Sequence, residues 1–513
     1  MQLVPLVSIC IALLYMLYML YMLYMLYMLY MLYMLWLGFR IESEFAWTTS
    51  NIYLDKTARQ CYRATRRRCP VNAELQRWYQ LLAPFRRVFT APGADRFIEL
   101  LTAWVLCPGR RTGTRLWQMV AGADRPRYEA YVAFCREGRW PKRADLLRVW
   151  AHLLVDHLSP RQLQAAHELW LLLDDTLFHK TGRKVEGAGR FRDAVRSGVK
   201  TVTAWGLNIV VLAVYVEPLW GREPWAIPIN LRIHRKPKHE NDPKVTLLDL
   251  AATMVREVAE WFPDYQFTLM ADGAYASLAK RHLPRTALYS RMRRNAALYT
   301  EAPARQPGQR GRPRKKGTRL ATPEHWAATL PTASWQSASV TIRGQQRTRL
   351  VSVHRVLWYE TCPDQLVVMV LVRDPSGQQP DDFFFTTDLT ATAVAVLEHY
   401  GGRWTIEETF RAVKQQLRGE TPQSWARFGP ERTVMLAFLT YGLVWLWYQL
   451  TQGDHPTFEK QPWYQRKHLP SFLDALASLR TTIWTERILG EAASGAISSK
   501  ITPEIIRILS EAG

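Results

Sequence analysis

The sequence predicts an α/β protein in which an α-helical N-terminal domain precedes a sheet, with an all-β insertion inside the sheet domain. Three observations predict it. Runs of β-branched and apolar residues at 169–173, 199–216, 224–233 and 266–271 read as strands. An amphipathic stretch at 245–262 lies between the last two, and a strand–helix–strand passage makes part of the sheet parallel. A second set of strand-like runs, at 338–342, 349–353 and 365–372, forms the insertion.

Length and composition agree with several packed cores. A chain of 513 residues, 48% hydrophobic and 22% charged, divides into two or three domains. Its net charge of +22 and pI of about 9.9 call for a polyanionic partner, most simply nucleic acid. The six cysteines (10, 61, 69, 107, 135 and 362) form no CxxC pair. They read as reduced thiols in a cytoplasmic protein and not as zinc ligands.

In chain order, residues 1–40 come first. Tyr-Met-Leu repeats seven times from Tyr15 to Leu35, and no charge precedes Arg40. Length and apolarity would suit a membrane span. Neither a span nor a signal peptide needs identical units, so the run reads as a spurious extension, a nine-nucleotide repeat translated from an upstream start. No membrane partner is expected. Residues 41–165 read as a basic helical DNA-binding domain. Arg63, Arg66, Arg67 and Arg68 cluster there, and apolar residues recur at helical spacing in 97–105 and 146–154.

Residues 166–292 and 391–450 form the sheet domain, interrupted by 293–390. The interruption opens with seven cations and no acid between Arg305 and Arg319, a solvated loop. Arg310-Gly-Arg312-Pro-Arg314 within it resembles an AT-hook core suited to a narrow minor groove, but one short copy reads first as a generic phosphate-binding loop, with Lys315 and Lys316 among its DNA contacts. Residues 433–450 carry no charge but hold Thr440, Tyr441, Gly442 and Gln449, which predicts a buried core helix and not a membrane span. Residues 451–513 read as a helical C-terminal region.

Three carboxylates stand out. Two strands end in aspartate, at Leu173-Asp174-Asp175 and at Ala271-Asp272-Gly273, and the carboxyl ends of strands are where α/β sites form. Taken singly, such residues are commonly turn or helix caps. The third is Glu407. In Tyr400-Gly-Gly-Arg403-Trp-Thr-Ile-Glu407, continuing to Lys414, the spacing places a phenol, a guanidinium, a carboxylate and an ammonium on one face of an α-helix. Taken alone, that stripe is a solvated Arg403–Glu407 ion pair. Glu408 points about 100° away. Together the three carboxylates supply the hard oxygen ligands that suit two Mg²⁺ or Mn²⁺ ions about 3.5–4 Å apart, the arrangement for in-line phosphoryl displacement.

These residues resemble a known family. Tyr400, Arg403, Glu407 and Lys414 match, in every spacing, the Tyr-Arg-Glu-Lys signature of one branch of bacterial insertion-sequence DDE transposases. Leu173-Asp-Asp-Thr resembles the first-aspartate motif and favours Asp175, since the catalytic residue there precedes Thr. Met270-Ala-Asp272-Gly-Ala-Tyr resembles the second. The resemblance covers roughly 165–450. It implies an RNase H-like core with Asp175, Asp272 and Glu407 as metal ligands and catalytic residues, and with Tyr400, Arg403 and Lys414 holding phosphates. It also implies two Mg²⁺ or Mn²⁺ ions, cleavage of double-stranded DNA at terminal inverted repeats, strand transfer into target DNA, and a synaptic homodimer. A catalytically inactive DNA-binding relative, or a nuclease or resolvase without strand transfer, are the alternatives.

Overall fold

A computed structural model describes residues 72–121, 125–158, 166–193, 195–198, 200–221, 223–237, 239–304, 311–342, 344–460, 465–493 and 502–511. The Tyr-Met-Leu repeat, the Arg63–Arg68 cluster and Arg310 lie outside them. Residues Val71–Gly513 make one compact unit.

Among the described residues five α-helices come first: α1 (Ala73–Leu82), α2 (Ala91–Leu106), α3 (Gly113–Gln118), α4 (Tyr128–Arg136) and α5 (Arg143–Leu158). Asn72 caps α1, accepting from Glu74 N at 2.9 Å. Four strands follow: β1 (Glu168–His179), β2 (Gly189–Arg192), β3 (Thr203–Val216) and β4 (Trp225–His234). Helix α6 (Leu247–Trp261) opens on a capping box between Thr246 and Asp249 and leads into β5 (Gln266–Ala271). After a 3₁₀ segment at Gly273–Arg281 come β6 (Thr286–Arg291), α7 (Pro323–Thr329), β7 (Gln336–Ile342), β8 (Gln345–Val356), β9 (Val367–Arg373) and β10 (Asp382–Thr386). The chain then forms α8 (Ala393–Gly402), α9 (Thr405–Arg411), a π-turn at Ala412–Gln416, α10 (Gly429–Gln452), α11 (Phe472–Ala493) and α12 (Thr502–Glu511).

The ten described strands join one mixed sheet, ordered β2-β3-β1-β5-β6-β10-β9-β8-β7, with β4 also pairing β3. Strands β1, β5 and β6 run parallel to one another, and the remaining pairs are antiparallel. The near-continuous apolar runs of β3 and β4 are buried, as a sheet covered by helices requires. The insertion is β-rich and not all-β, because it contains α7. Its strands extend the main sheet through β6–β10 pairing instead of forming a separate layer.

The uncharged run at 433–450 lies in α10, whose most apolar window is 94% buried. This helix is the hub of the helical layer, packing against α1, α2, α4, α5, β4 and α11. Tryptophan N–H groups fasten the layers by donating to backbone carbonyls: Trp447 to Glu74, Trp150 to Pro228 and Trp104 to Leu417. Gly442 is required beneath Trp150, where a Cβ would meet the indole at 2.4 Å.

Two local expectations are corrected. Asp174 and Asp175 do not end their strand, since β1 continues to His179. Their position is nonetheless special, because the parallel pairing with β5 stops at Leu173–Ala271, immediately before Asp174 and Asp272. Residues 400–414 are not one α-helix either. Gly401-Gly402 end α8, and the next turn is tightened by i→i−3 bonds from Arg403, Ile406 and Glu407 N–H groups. The π-turn then widens the helix under Lys414, and both changes rotate side chains off a common stripe.

Candidate active site

Four carboxylates lie around the point where β1 and β5 part, Asp174 and Asp175 on opposite faces of the strand, as neighbours on a strand are. Asp174 Oδ2 accepts from Arg403 Nη1 at 2.9 Å, on the side of α8 and α9. Asp175 Oδ1 accepts from Tyr275 Oη at 2.8 Å, and Asn208 on β3 also bonds its carboxylate. Asp272 caps the 3₁₀ segment that carries Tyr275, and its carbonyl accepts from Tyr275 N–H and Ser290 Oγ. Tyr400 Oη lies 3.5 Å from Asp272 Oδ1, at the limit of a hydrogen bond.

Glu407 joins this group through Arg403. The guanidinium donates from Nη2 to Glu407 Oε1 at 2.9 Å while Nη1 holds Asp174. The Arg403 side chain is 12% exposed and lies 5.6 Å from the Tyr400 ring. The ring itself packs on Phe384. Gly402 permits this approach of α8 to the sheet, because a Cβ there would meet Tyr215 at 3.0 Å.

The electrostatics are unbalanced. Burial pushes the Asp174 carboxyl up to about 7 against the pull of Arg403, and Asp175 and Asp272 add repulsion. Burial likewise raises Asp175, opposed by its bonds from Tyr275 and Asn208. Burial and the neighbouring carboxylates hold the Tyr275 phenol well above its ordinary value. Among the described residues, Arg403 is the one cation hydrogen-bonded to these four carboxylates. No three His, Cys, Asp or Glu side chains among the described residues converge as a ready-made metal cage. The donor set still fits a hard divalent ion, because it consists of carboxylate oxygens whose mutual repulsion a cation would relieve.

Lys414 lies elsewhere. Its ammonium stands 5.7 Å from the Phe178 ring centroid, burial lowers its pKa, and Glu420 and Asp193 are the acids acting on it. Those acids belong to a second cluster. His179 Nε2 is 2.8 Å from Asp193 Oδ2, and the His179 N–H donates to Glu420 Oε1 at 2.9 Å. Lys180 Nζ donates to Glu420 O at 2.7 Å. Burial lowers the Lys180 pKa to about 8. On the insertion, Arg312, Arg314 and Lys315 are exposed, and Lys316 donates to Tyr299 Oη at 3.1 Å. Among the described residues no hydrogen bond or ion pair links that loop to the four carboxylates. Sequence reasoning missed Asn208, which carries no motif. It also passed over Tyr275, although Tyr275 stands three residues after Asp272 in the second-aspartate motif.

A mixed sheet with carboxylates beside the ends of parallel strands places hard oxygen donors where α/β sites form. A family model described as DDE superfamily endonuclease matches residues 84–359, just over half of the chain, and the protein belongs to that family. The match contains Asp174, Asp175 and Asp272 and ends before Tyr400, Arg403, Glu407 and Lys414. No curated protein sequence matches the chain. Among solved structures, the cryo-EM structure of a piggyBac transposase synaptic complex with hairpin DNA is similar at 8% identity and a TM-score of 0.39, covering 85% of each chain. That likeness is too slight to bear on function.

Proposed function

We propose that the protein is an insertion-sequence transposase, a metal-dependent DNA endonuclease that cuts element ends and joins the freed 3′-hydroxyl to target DNA. The observation that carries the reading is that Arg403 joins Asp174 of β1 to Glu407 of a later helix, beside Asp272 at the end of the strand parallel to β1. The antiparallel β4-β3-β1 group followed by parallel β5 and β6 supports an RNase H-like core.

Asp272 and Glu407 would hold the divalent ions together with one of the two β1 aspartates. The family motif favours Asp175. The side-chain geometry favours Asp174, which shares Arg403 with Glu407. Bound Mg²⁺ or Mn²⁺ would supply water activation and charge stabilisation at the leaving oxygen. The chain's own residues do the rest. Tyr275 and Asn208 fix Asp175, Tyr400 steadies Asp272, and Arg403 offers a planar fork to a phosphate near the scissile bond. Arg312, Arg314, Lys315 and Lys316 would meet DNA away from the centre, through phosphates. Terminal inverted repeats, target DNA and a second copy of the chain in a synaptic dimer complete the proposal.

The test is Mg²⁺-dependent nicking and strand transfer with duplexes carrying the element ends. Asp272→Asn and Glu407→Gln should bind DNA and fail to cut it. Comparing Asp174→Asn with Asp175→Asn assigns the β1 ligand. Cutting without joining would leave a nuclease or resolvase, and normal cutting by Glu407→Gln would refute the site.

A further inference from the structure

Arg403 already occupies the place of a cation. Its two terminal nitrogens hold Asp174 and Glu407, each at 2.9 Å, and its Nε is buried without a hydrogen-bond partner. The guanidinium is thus committed to Glu407 and to the β1 aspartate that the side-chain geometry favours as a ligand, Asp174. A metal taking the same oxygens would lie against a fixed positive charge in a poorly hydrated place, where like charges repel strongly. The position of Arg403 in the chain permits release. It stands at the two-residue break between α8 and α9, directly after Gly401-Gly402.

We propose that Arg403 is a positioning residue that makes metal and DNA bind together. In the DNA-free protein it holds Asp174 and Glu407 and keeps the metal out. An arriving DNA phosphate draws the fork away, because a guanidinium pairs with phosphate as it does with carboxylate. Both carboxylates are then free for the ion. The inference rests on the metal-dependent nuclease reading. It adds an order to it: DNA strengthens metal binding, and metal strengthens DNA binding by the same factor. Such an arrangement would restrain cleavage chemistry until substrate is seated.

The experiment measures Mn²⁺ affinity of the full chain by electron paramagnetic resonance of free Mn²⁺, without DNA and with duplex DNA before cleavage begins. The variants are Arg403→Gln and Arg403→Lys. Without DNA, Arg403→Gln should bind Mn²⁺ more tightly than wild type, by about 5- to 150-fold, the usual span of a coupling between sites. Adding DNA should then tighten Mn²⁺ binding less in Arg403→Gln than in wild type. Arg403→Lys keeps the charge but cannot fork two carboxylates, so it should fall between the two, and it serves if Arg403→Gln misfolds. Equal or weaker Mn²⁺ binding by both DNA-free variants would overturn the exchange. Glu407→Gln separates the two levels: if it leaves Mn²⁺ binding unchanged with and without DNA, the metal reading of the centre fails as well.

Discussion

Two charged clusters lie along β1, one at Asp174–Asp175 and one at its end, at His179 and the following Lys180. In the second, opposite charges are matched. Asp193 and Glu420 are engaged by His179, Arg196 and the neighbouring Lys414, and Lys180 is tied to backbone carbonyls. In the first, one guanidinium bonds two of four carboxylates, Asp174 and Glu407, no cation among the described residues is hydrogen-bonded to the other two, and burial pushes Asp174 and Asp175 toward protonation. Matched charges fasten β1 to the loops that follow the π-turn. Unmatched charges are costly to a fold, which is why they point to a ligand.

The largest effect should separate the clusters outright. Asp272→Asn or Glu407→Gln should lower the cleavage rate by more than the about 10–100-fold that loss of an outer-shell partner costs. His179→Ala should leave cleavage within a few-fold and instead destabilise the fold by about 1 kcal/mol, read as a lower denaturation midpoint. Comparable losses of cleavage in both would erase the distinction.

A smaller effect is pH-dependent. Asp174 titrates near 7 in the folded chain against an ordinary 3.8, so the folded state holds its proton longer than the unfolded chain does. Stability from this group is complete below about pH 4 and is lost as pH rises to about 7. Asp174→Asn should therefore gain stability relative to wild type at pH 8 and not at pH 4, by thermal denaturation.

Lys414 sharpens the comparison further. A lysine on a DNA phosphate would, when replaced by alanine, flatten the salt dependence of DNA affinity by about one unit. Its place beside Phe178, Glu420 and Asp193 predicts an unchanged slope with reduced stability. Tyr400→Phe should have the least effect, a cleavage loss of several-fold, because its contact to Asp272 is long.

Much of this was legible in the sequence. Strand β5, helix α6 and the β-rich insertion announce themselves by apolar period, and Asp272 stands out in the sequence by its place at a strand end and Glu407 by its spacing from Tyr400 and Arg403. The side chains around Asp174 and Asp175 were not legible, because Tyr275 and Asn208 reach them from other elements. The break at Arg403 and the π-turn under Lys414 were also hidden. Spacing assumes an ideal helix, and small changes of pitch move a residue from one cluster to the other.

The most direct measurement of the central claim is iron-directed cleavage of the protein backbone. Fe²⁺ replaces Mg²⁺ at oxygen sites, and with ascorbate and peroxide it cuts the chain beside the bound ion. In the presence of DNA, mass spectrometry should find cuts near residues 174, 272 and 407, suppressed by excess Mg²⁺. Mg²⁺-sensitive cuts near 179, 193 and 420, with none at the first cluster, would contradict the account.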